Sequence, residues 1–225
     1  MMKRTIRTCF AIAALLSVPI AAQAADLPRP SYKAPIYTAP AFSWTGFYIG
    51  INGGYGWGDS QWSGGQNFNI APKGWMVGGT IGYNLQTGNW VWGLEGDIDW
   101  VDLNGTANSA VCSSCLTKST WLGTARGRIG YAYDRWLPYI TGGLAYGNVY
   151  MENTSTGGSK SETKAGWTIG GGVEYAFAGG WSTKLEYLYV DLGDATCGSA
   201  NCGGLTNTQV SFTANLVRAG LNYRF

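Results

Sequence analysis

The sequence contains no histidine. That absence removes the Ser–His and Cys–His arrangements in which imidazole activates a nucleophile, and the usual histidine-bearing metal sites with them. Charge is scarce too. Only 12% of the residues are Asp, Glu, Lys or Arg, about half the share of ordinary soluble domains. Beyond the first two dozen residues no apolar run approaches the ~20 residues of a spanning helix. A water-facing globule and a helical membrane protein are both poor fits, so any membrane crossing has to be made by strands. In place of charge stand 35 Gly, 11 Trp and 14 Tyr.

The N-terminus carries the one long apolar run. "MMKRTIRTC" supplies Lys3, Arg4 and Arg7, "FAIAALLSVPIAA" follows, and Ala22 and Ala24 occupy the small-residue positions of a cleavage site. This is the three-part pattern of a secretory signal peptide cut after Ala24. Pro19 and the short length argue against a span. Cys9 precedes the apolar core, so it is not the lipidated cysteine of a lipoprotein. Removing residues 1–24 takes three of the 15 Lys+Arg and none of the 13 Asp+Glu, leaving a net charge of −1. The basic look of the whole sequence belongs to the signal peptide and gives no support to nucleic-acid binding. Residues 25–43 follow as a linker, with Pro28, Pro30, Pro35 and Pro40 favouring an extended chain.

From Trp44 to Phe225 the pattern is period two, the mark of half-buried strands. Phe47, Ile49, Ile51, Tyr55 and Trp57 alternate with Tyr48, Asn52 and glycines. Trp75, Val77, Ile81, Tyr83 and Leu85 alternate with Met76, Thr80, Asn84 and Gln86. Trp90, Trp92, Leu94, Ile98 and Trp100 oppose Glu95, Asp97 and Asp99, and Trp121, Ile129 and Tyr131 oppose Arg126 and Arg128. The same split recurs around Tyr139, Thr141, Thr168, Glu174, Lys184 and Glu186. The last segment ends on Ala219, Leu221, Tyr223 and Phe225 against Arg218 and Arg224. Its parity slips upstream of Val217, where Val210, Phe212, Ala214 and Leu216 predict a bulge or a strand start. Eight strands result. Short connections are expected near 87–89, 133–135 and 178–180, and long polar ones near 58–72, 104–117, 151–163 and 193–208. Alternating short and long connections, with an even strand number, predict an antiparallel up-and-down outer-membrane β-barrel whose two termini share the short-turn, periplasmic side.

Alternation alone does not say which face points outward, because a soluble eight-stranded barrel reverses it. Small residues crowd the polar parity, as a narrow interior requires. Charges on that parity balance: Glu95, Asp97, Asp99, Glu174 and Glu186 against Arg126, Arg128, Lys184, Arg218 and Arg224. Aromatics gather at the segment ends, where amphipathic rings suit the two membrane interfaces. The apolar parity therefore faces lipid and the charges form an internal network.

"FSWTGFYIGINGGYGWG", "RIGYAYDRWLPYITGGLAYG" and "LVRAGLNYRF" resemble the outer-membrane immunogenic protein and RopB-like porin family of alphaproteobacteria, with an OmpA-type eight-stranded barrel. The resemblance spans the chain after residue 24. It implies a surface-exposed integral protein of the outer membrane, in contact with lipid and lipopolysaccharide, with porin activity, haem binding or host interaction described among relatives. The alternating Leu221, Tyr223 and Phe225 resemble the terminal signal read by the barrel-assembly machinery.

No enzyme chemistry stands out. The carboxylates have arginines beside them as ion-pair partners. "DIDWVD" lacks the glycine that a calcium loop needs at its sixth position, and no cofactor is expected. Cys112 and Cys115 fall in one expected loop, Cys197 and Cys202 in another. In an oxidising compartment they are expected as disulfides, with three connectivities open. Eight strands leave an interior that side chains fill, so a structural surface protein is favoured over a diffusion pore or a ligand receptor. Tyr150 is the lone residue in the loops that suits haem.

Overall fold

The computed structural model describes residues 42–63, 68–109, 112–153, 158–197 and 208–225. The expected signal peptide, the linker through residue 41 and Cys202 lie outside them. The strands are β1 (Gly46–Ser63), β2 (Phe68–Ile70), β3 (Lys73–Thr87), β4 (Trp90–Ser109), β5 (Cys112–Tyr131), β6 (Trp136–Asn153), β7 (Gly158–Ala176), β8 (Trp181–Cys197) and β9 (Thr208–Arg224). Consecutive long strands pair antiparallel, and β9 returns to β1 from Tyr48↔Arg224 to Ser63↔Gln209, which closes the barrel. Closure leaves no open strand edge in hydrocarbon, where an unmade backbone hydrogen bond costs several kcal/mol.

The three-residue β2 does not add a ninth wall strand. Trp57 is in register with Lys73 and Ser60 with Ile70, so β2 continues β3 across Ala71 and Pro72. Proline lacks the amide that the ladder uses. Its carbonyl still accepts a hydrogen bond from Gly58 N at 2.9 Å, which keeps the two pieces in line.

The outward face is the apolar parity. Ile51 is 67% exposed, Trp75 73% and Leu94 73%, whereas Glu95, Arg126 and Lys184 on the other parity are buried. Aromatic pairs ring both ends of this belt. Near the short turns stand Phe47–Tyr83, Trp90–Tyr131, Trp136–Tyr175 and the run Trp181–Tyr223–Phe225, with ring centroids 4.6–5.5 Å apart. At the other end stand Tyr55–Trp75 and Trp167–Tyr189. From Trp90 to Trp100 a strand tilted ~40° rises about 25 Å, the height of the apolar band of outer-membrane barrels. Phe225 completes the lower ring, and its backbone N donates to Phe47 O at 3.0 Å.

The short connections lie where expected. Thr87 and Trp90 close a two-residue turn in which Gly88 takes φ 61°, a conformation a glycine adopts without steric cost. The opposite connections differ in construction from the expected loops. The strands run on through most of those segments as paired hairpins, leaving tips at 64–67, 110–111, 154–157 and 198–207 outside the described residues. Apolar alternation stops in these segments while the hydrogen-bond ladder continues, as it does where the strands of an outer-membrane barrel extend beyond the apolar band. There the wall divides. β7 is in register with β8 only as far as Trp167↔Asp191, and β3 with β4 only as far as Lys73↔Asn104. A bulge in β8 between Asp191 and Asp194, with Gly193 at φ 68°, marks one division.

The break expected near Val217 is absent. β9 holds one register on β1 from Gln209 to Arg224. Phe212, Ala214 and Leu216 point inward, so the parity slip records a change in the lumen, not in the strand.

Candidate functional site

The lumen is where the sequence-predicted residues meet. Period-two alternation puts Glu95, Asp97 and Asp99 on the inner face of β4, and the pairing Glu95↔Arg126 sets the charges of β4 and β5 opposite one another. Closure then brings β7, β8 and β9 across the narrow interior. Arg126 on β5 joins its neighbour β4 to β8 across the lumen: it pairs with Glu95, with Asp97 Oδ2 at 2.7 Å and with Glu186 Oε1 at 3.1 Å. Arg218 reaches Asp99 at 2.8 Å, Asp97 at 3.0 Å and Glu186 at 2.7 Å. Arg128 holds Glu174 at 2.7 Å and lies 3.6 Å from Glu95. Lys184 Nζ donates to Glu95 Oε2 at 2.8 Å.

Neutral donors complete the carboxylates. Tyr48 Oη donates to Glu95, Tyr139 Oη to Glu186, Thr124 Oγ1 to Asp97, and Ser182 Oγ and Asn222 Nδ2 to Glu174, all within 2.6–2.9 Å. The Arg128 guanidinium also stacks 4.1 Å from the Tyr139 ring centroid. Such satisfaction is what lets charge persist away from water, since a buried ion without partners costs several kcal/mol. Glycines make the space. A Cβ on Gly78 would come within 2.7 Å of Asp99 Cα, and one on Gly143 within 2.7 Å of Arg126 Cα.

One expected member is elsewhere. Arg224 sits at the strand end below the network, with its guanidinium 4.5 Å from the Phe42 ring centroid. Position 224 is level with the barrel rim, where an aromatic face takes the place of a carboxylate. The described network therefore holds five carboxylates against Arg126, Arg128, Lys184 and Arg218. Among the described residues Asp99 Oδ1 has no hydrogen-bond partner.

Two apolar layers bracket the charges. On the hairpin side, Val101 and Leu103 follow Asp99 on β4, Leu188, Val190 and Leu192 follow Glu186 on β8, and Leu216, Ala214 and Phe212 precede Arg218 on β9. Ile70, Met76, Leu122 and Ala145 complete this buried cluster. On the short-turn side, Trp44 packs with Val91, Ala132, Leu137 and Ala176, and Phe42 lies against them. Neither layer was expected from the sequence. The signal for the first was present in the apolar residues on the polar parity of β8 and β9.

Among the described residues no group of three or more His, Cys, Asp or Glu is arranged to hold a metal ion. The core carboxylates are engaged by cations, by hydroxyls and by the Asn222 amide, so interlocked side chains occupy this level of the lumen. Leu221 stands on the outward side of β9, and Phe225, just past its end, is exposed too. Cys112 and Cys115 lie on β5 and Cys197 ends β8. Tyr150 lies on β6.

The model of the outer membrane protein beta-barrel domain family matches residues 10–225. The 31 kDa outer-membrane immunogenic protein of Brucella melitensis is 38% identical, over 91% of this chain and 93% of that protein. The 22 kDa outer membrane protein of Rhizobium leguminosarum bv. viciae is 34% identical, over 86% of this chain and 82% of its own. Among solved structures, the outer membrane protease OmpT of Escherichia coli aligns with a TM-score of 0.53 at 10% identity, over 80% of this chain and 97% of that one. That likeness is one of fold.

Proposed function

The chain belongs to the outer-membrane β-barrel domain family, and on that premise we propose that it is a non-conducting surface protein of the outer membrane that works through its outer faces. The observation that carries this reading is the lumen, filled in sequence by an apolar layer, a satisfied charge network and a second apolar layer. Eight strands enclose little more than their own side chains, and here those side chains interlock. A diffusion pore would need a continuous aqueous path.

On this reading the belt of Ile, Leu and aromatic side chains meets lipid and lipopolysaccharide and stiffens the envelope. The paired hairpins beyond the belt are presented to the outside, to a host or surface ligand. The name of the Brucella relative, an immunogenic protein, agrees with such exposure. Export uses residues 1–24, residues 25–43 link to the barrel from 44 onward, and both ends of the barrel face the periplasm. Leu221, Tyr223 and Phe225 serve the assembly machinery. Cys112, Cys115, Cys197 and Cys202 form disulfides.

The test is single-channel recording of the refolded chain in a planar bilayer, beside an Arg126→Ala, Arg128→Ala variant. The wild type is expected to be silent. Discrete conductance steps in the wild type would overturn the closed-lumen reading and favour a pore.

A further inference from the structure

The residues just before β1 are not a slack tether. Trp44 is 2% exposed, its ring inserted into the short-turn mouth against Leu137 and Ala176. Its backbone N donates to Gln86 Oε1 at 2.7 Å, and Gln86 N donates in return to Thr45 Oγ1 at 2.9 Å. The indole Nε1 reaches Asp134 O in the β5–β6 turn at 3.4 Å. Phe42 packs edge-on against Trp44 at 5.1 Å, and Arg224 at the end of β9 covers Phe42. Four residues thus tie the first strand, two turns and the last strand together across the opening.

Beneath this strap lies a chamber of about 10 Å³, walled by Trp44, Tyr48, Asn84, Glu174 and Ser182. That is room for about one water molecule. Asn84 lines the chamber, and its Oδ1 is buried without a hydrogen-bond partner among the described residues, so it is an acceptor free for such a water. Glu174 and Ser182 belong to the charge network itself. The strap therefore covers the lowest charged layer on this side, together with Trp181 and Arg224 at the rim of the chamber.

We propose that Phe42–Thr45 is a releasable latch: displacing it admits water and small solutes to the Glu174–Ser182 chamber without opening a path across the membrane. The proposal rests on the closed-lumen reading, because the apolar layer beyond Glu186 and Arg218 keeps the far side shut. A latch needs a handle, and the chain preceding Phe42 is covalently continuous with it. A load on that chain is delivered to Phe42 and through it to Trp44. The strap's hold is an indole, a phenyl ring and a few hydrogen bonds, far less than a strand ladder of sixteen registered pairs such as β1 with β9. The latch therefore gives way before the wall does.

The test places a thiol in the chamber. Ser182→Cys is built in a chain whose five native cysteines are replaced by serine, refolded, and checked by heat-dependent gel mobility. The probe is a water-soluble, positively charged methanethiosulfonate reagent. With the strap intact, labelling is expected to be slow. Trp44→Ala should raise the rate at least ~10-fold, since it removes the largest ring packed in the mouth and leaves a cavity there, and Trp44→Phe should raise it far less. Gln86→Ala, which removes the Oε1 acceptor of Trp44 N and leaves the ring and the backbone bond to Thr45 Oγ1, should give an intermediate rate and serves if Trp44→Ala does not refold. Fast labelling with the strap intact, or equally slow labelling in Trp44→Ala and Gln86→Ala, overturns the latch. Bilayer recordings of the same variants separate the two ideas. Continued silence with fast labelling supports the latch, whereas conductance would sink the closed-lumen reading beneath it.

Discussion

Arg126→Met is the sharpest probe of the charged core. The guanidinium touches Glu95, Asp97 and Glu186, and both partners in each pair are at most 1% exposed in their side chains. Methionine fills similar volume and removes the charge. Three carboxylates then lose a partner, and the core is left with five carboxylates against three cations. Breaking one buried pair by deleting a single partner costs about 3–5 kcal/mol, because the survivor stays desolvated. Glu95 keeps Lys184, and Asp97 and Glu186 keep Arg218, so the loss should fall within that range and not at a multiple of it. Asp99→Asn is the counterpart. Asp99 has one ion pair, to Arg218 at 2.8 Å, and its Oδ1 is without a partner. Asparagine keeps an acceptor for Arg218 and brings the core to four carboxylates and four cations. Its expected cost is below about 1 kcal/mol, the scale of one neutral hydrogen bond. The assay is urea unfolding in detergent micelles followed by tryptophan fluorescence, with unchanged m-values required for comparison. If Asp99→Asn costs as much as Arg126→Met, charge satisfaction is not what organises the core.

Two further expectations follow from the packing and the compartment. Gly143→Ala should destabilise the barrel by about 1–3 kcal/mol through overpacking, since its Cβ would press on the backbone of Arg126. Gly127→Ala on the outer face, where the nearest atom is 3.9 Å away, should change stability by less than about 0.5 kcal/mol; the same urea assay compares them, and equal losses would refute the argument. If the four cysteines after residue 24 are disulfide-bonded as proposed, a thiol alkylating agent should label none of them in the exported, unfolded chain until a reductant is added. Labelling before reduction would show free thiols.

Much of this protein was legible before any fold was in view. A strand puts successive side chains on opposite faces, so each residue's parity is a local property. Trp75, Leu94 and Ile98 announced a lipid face, and Glu95, Arg126 and Lys184 announced an inner one. The scarcity of charge and the clustering of rings at segment ends said which face was which. Alternation carries neither height nor partner, however. The sequence suggested that the carboxylates around Glu95 have Arg126 and Arg128 as ion-pair partners, and Arg126 does meet Glu95 and Asp97. The contacts of Arg126 with Glu186 and of Arg218 with Asp97 join strands distant in the chain, and only closure of the wall brings them across the lumen. Arg224 shares the parity of the network yet lies outside it, because its height along the strand puts it at the rim. Phe212, Ala214 and Leu216 looked like a slipped register, since an inner face was expected to be polar throughout. The apolar residues that explain them come from other strands, as far away in sequence as Ile70 and Met76. Face is written residue by residue, because the backbone itself alternates. Level, partner and closure were decided by tertiary structure, because they depend on where the other strands stand once the first has met the last.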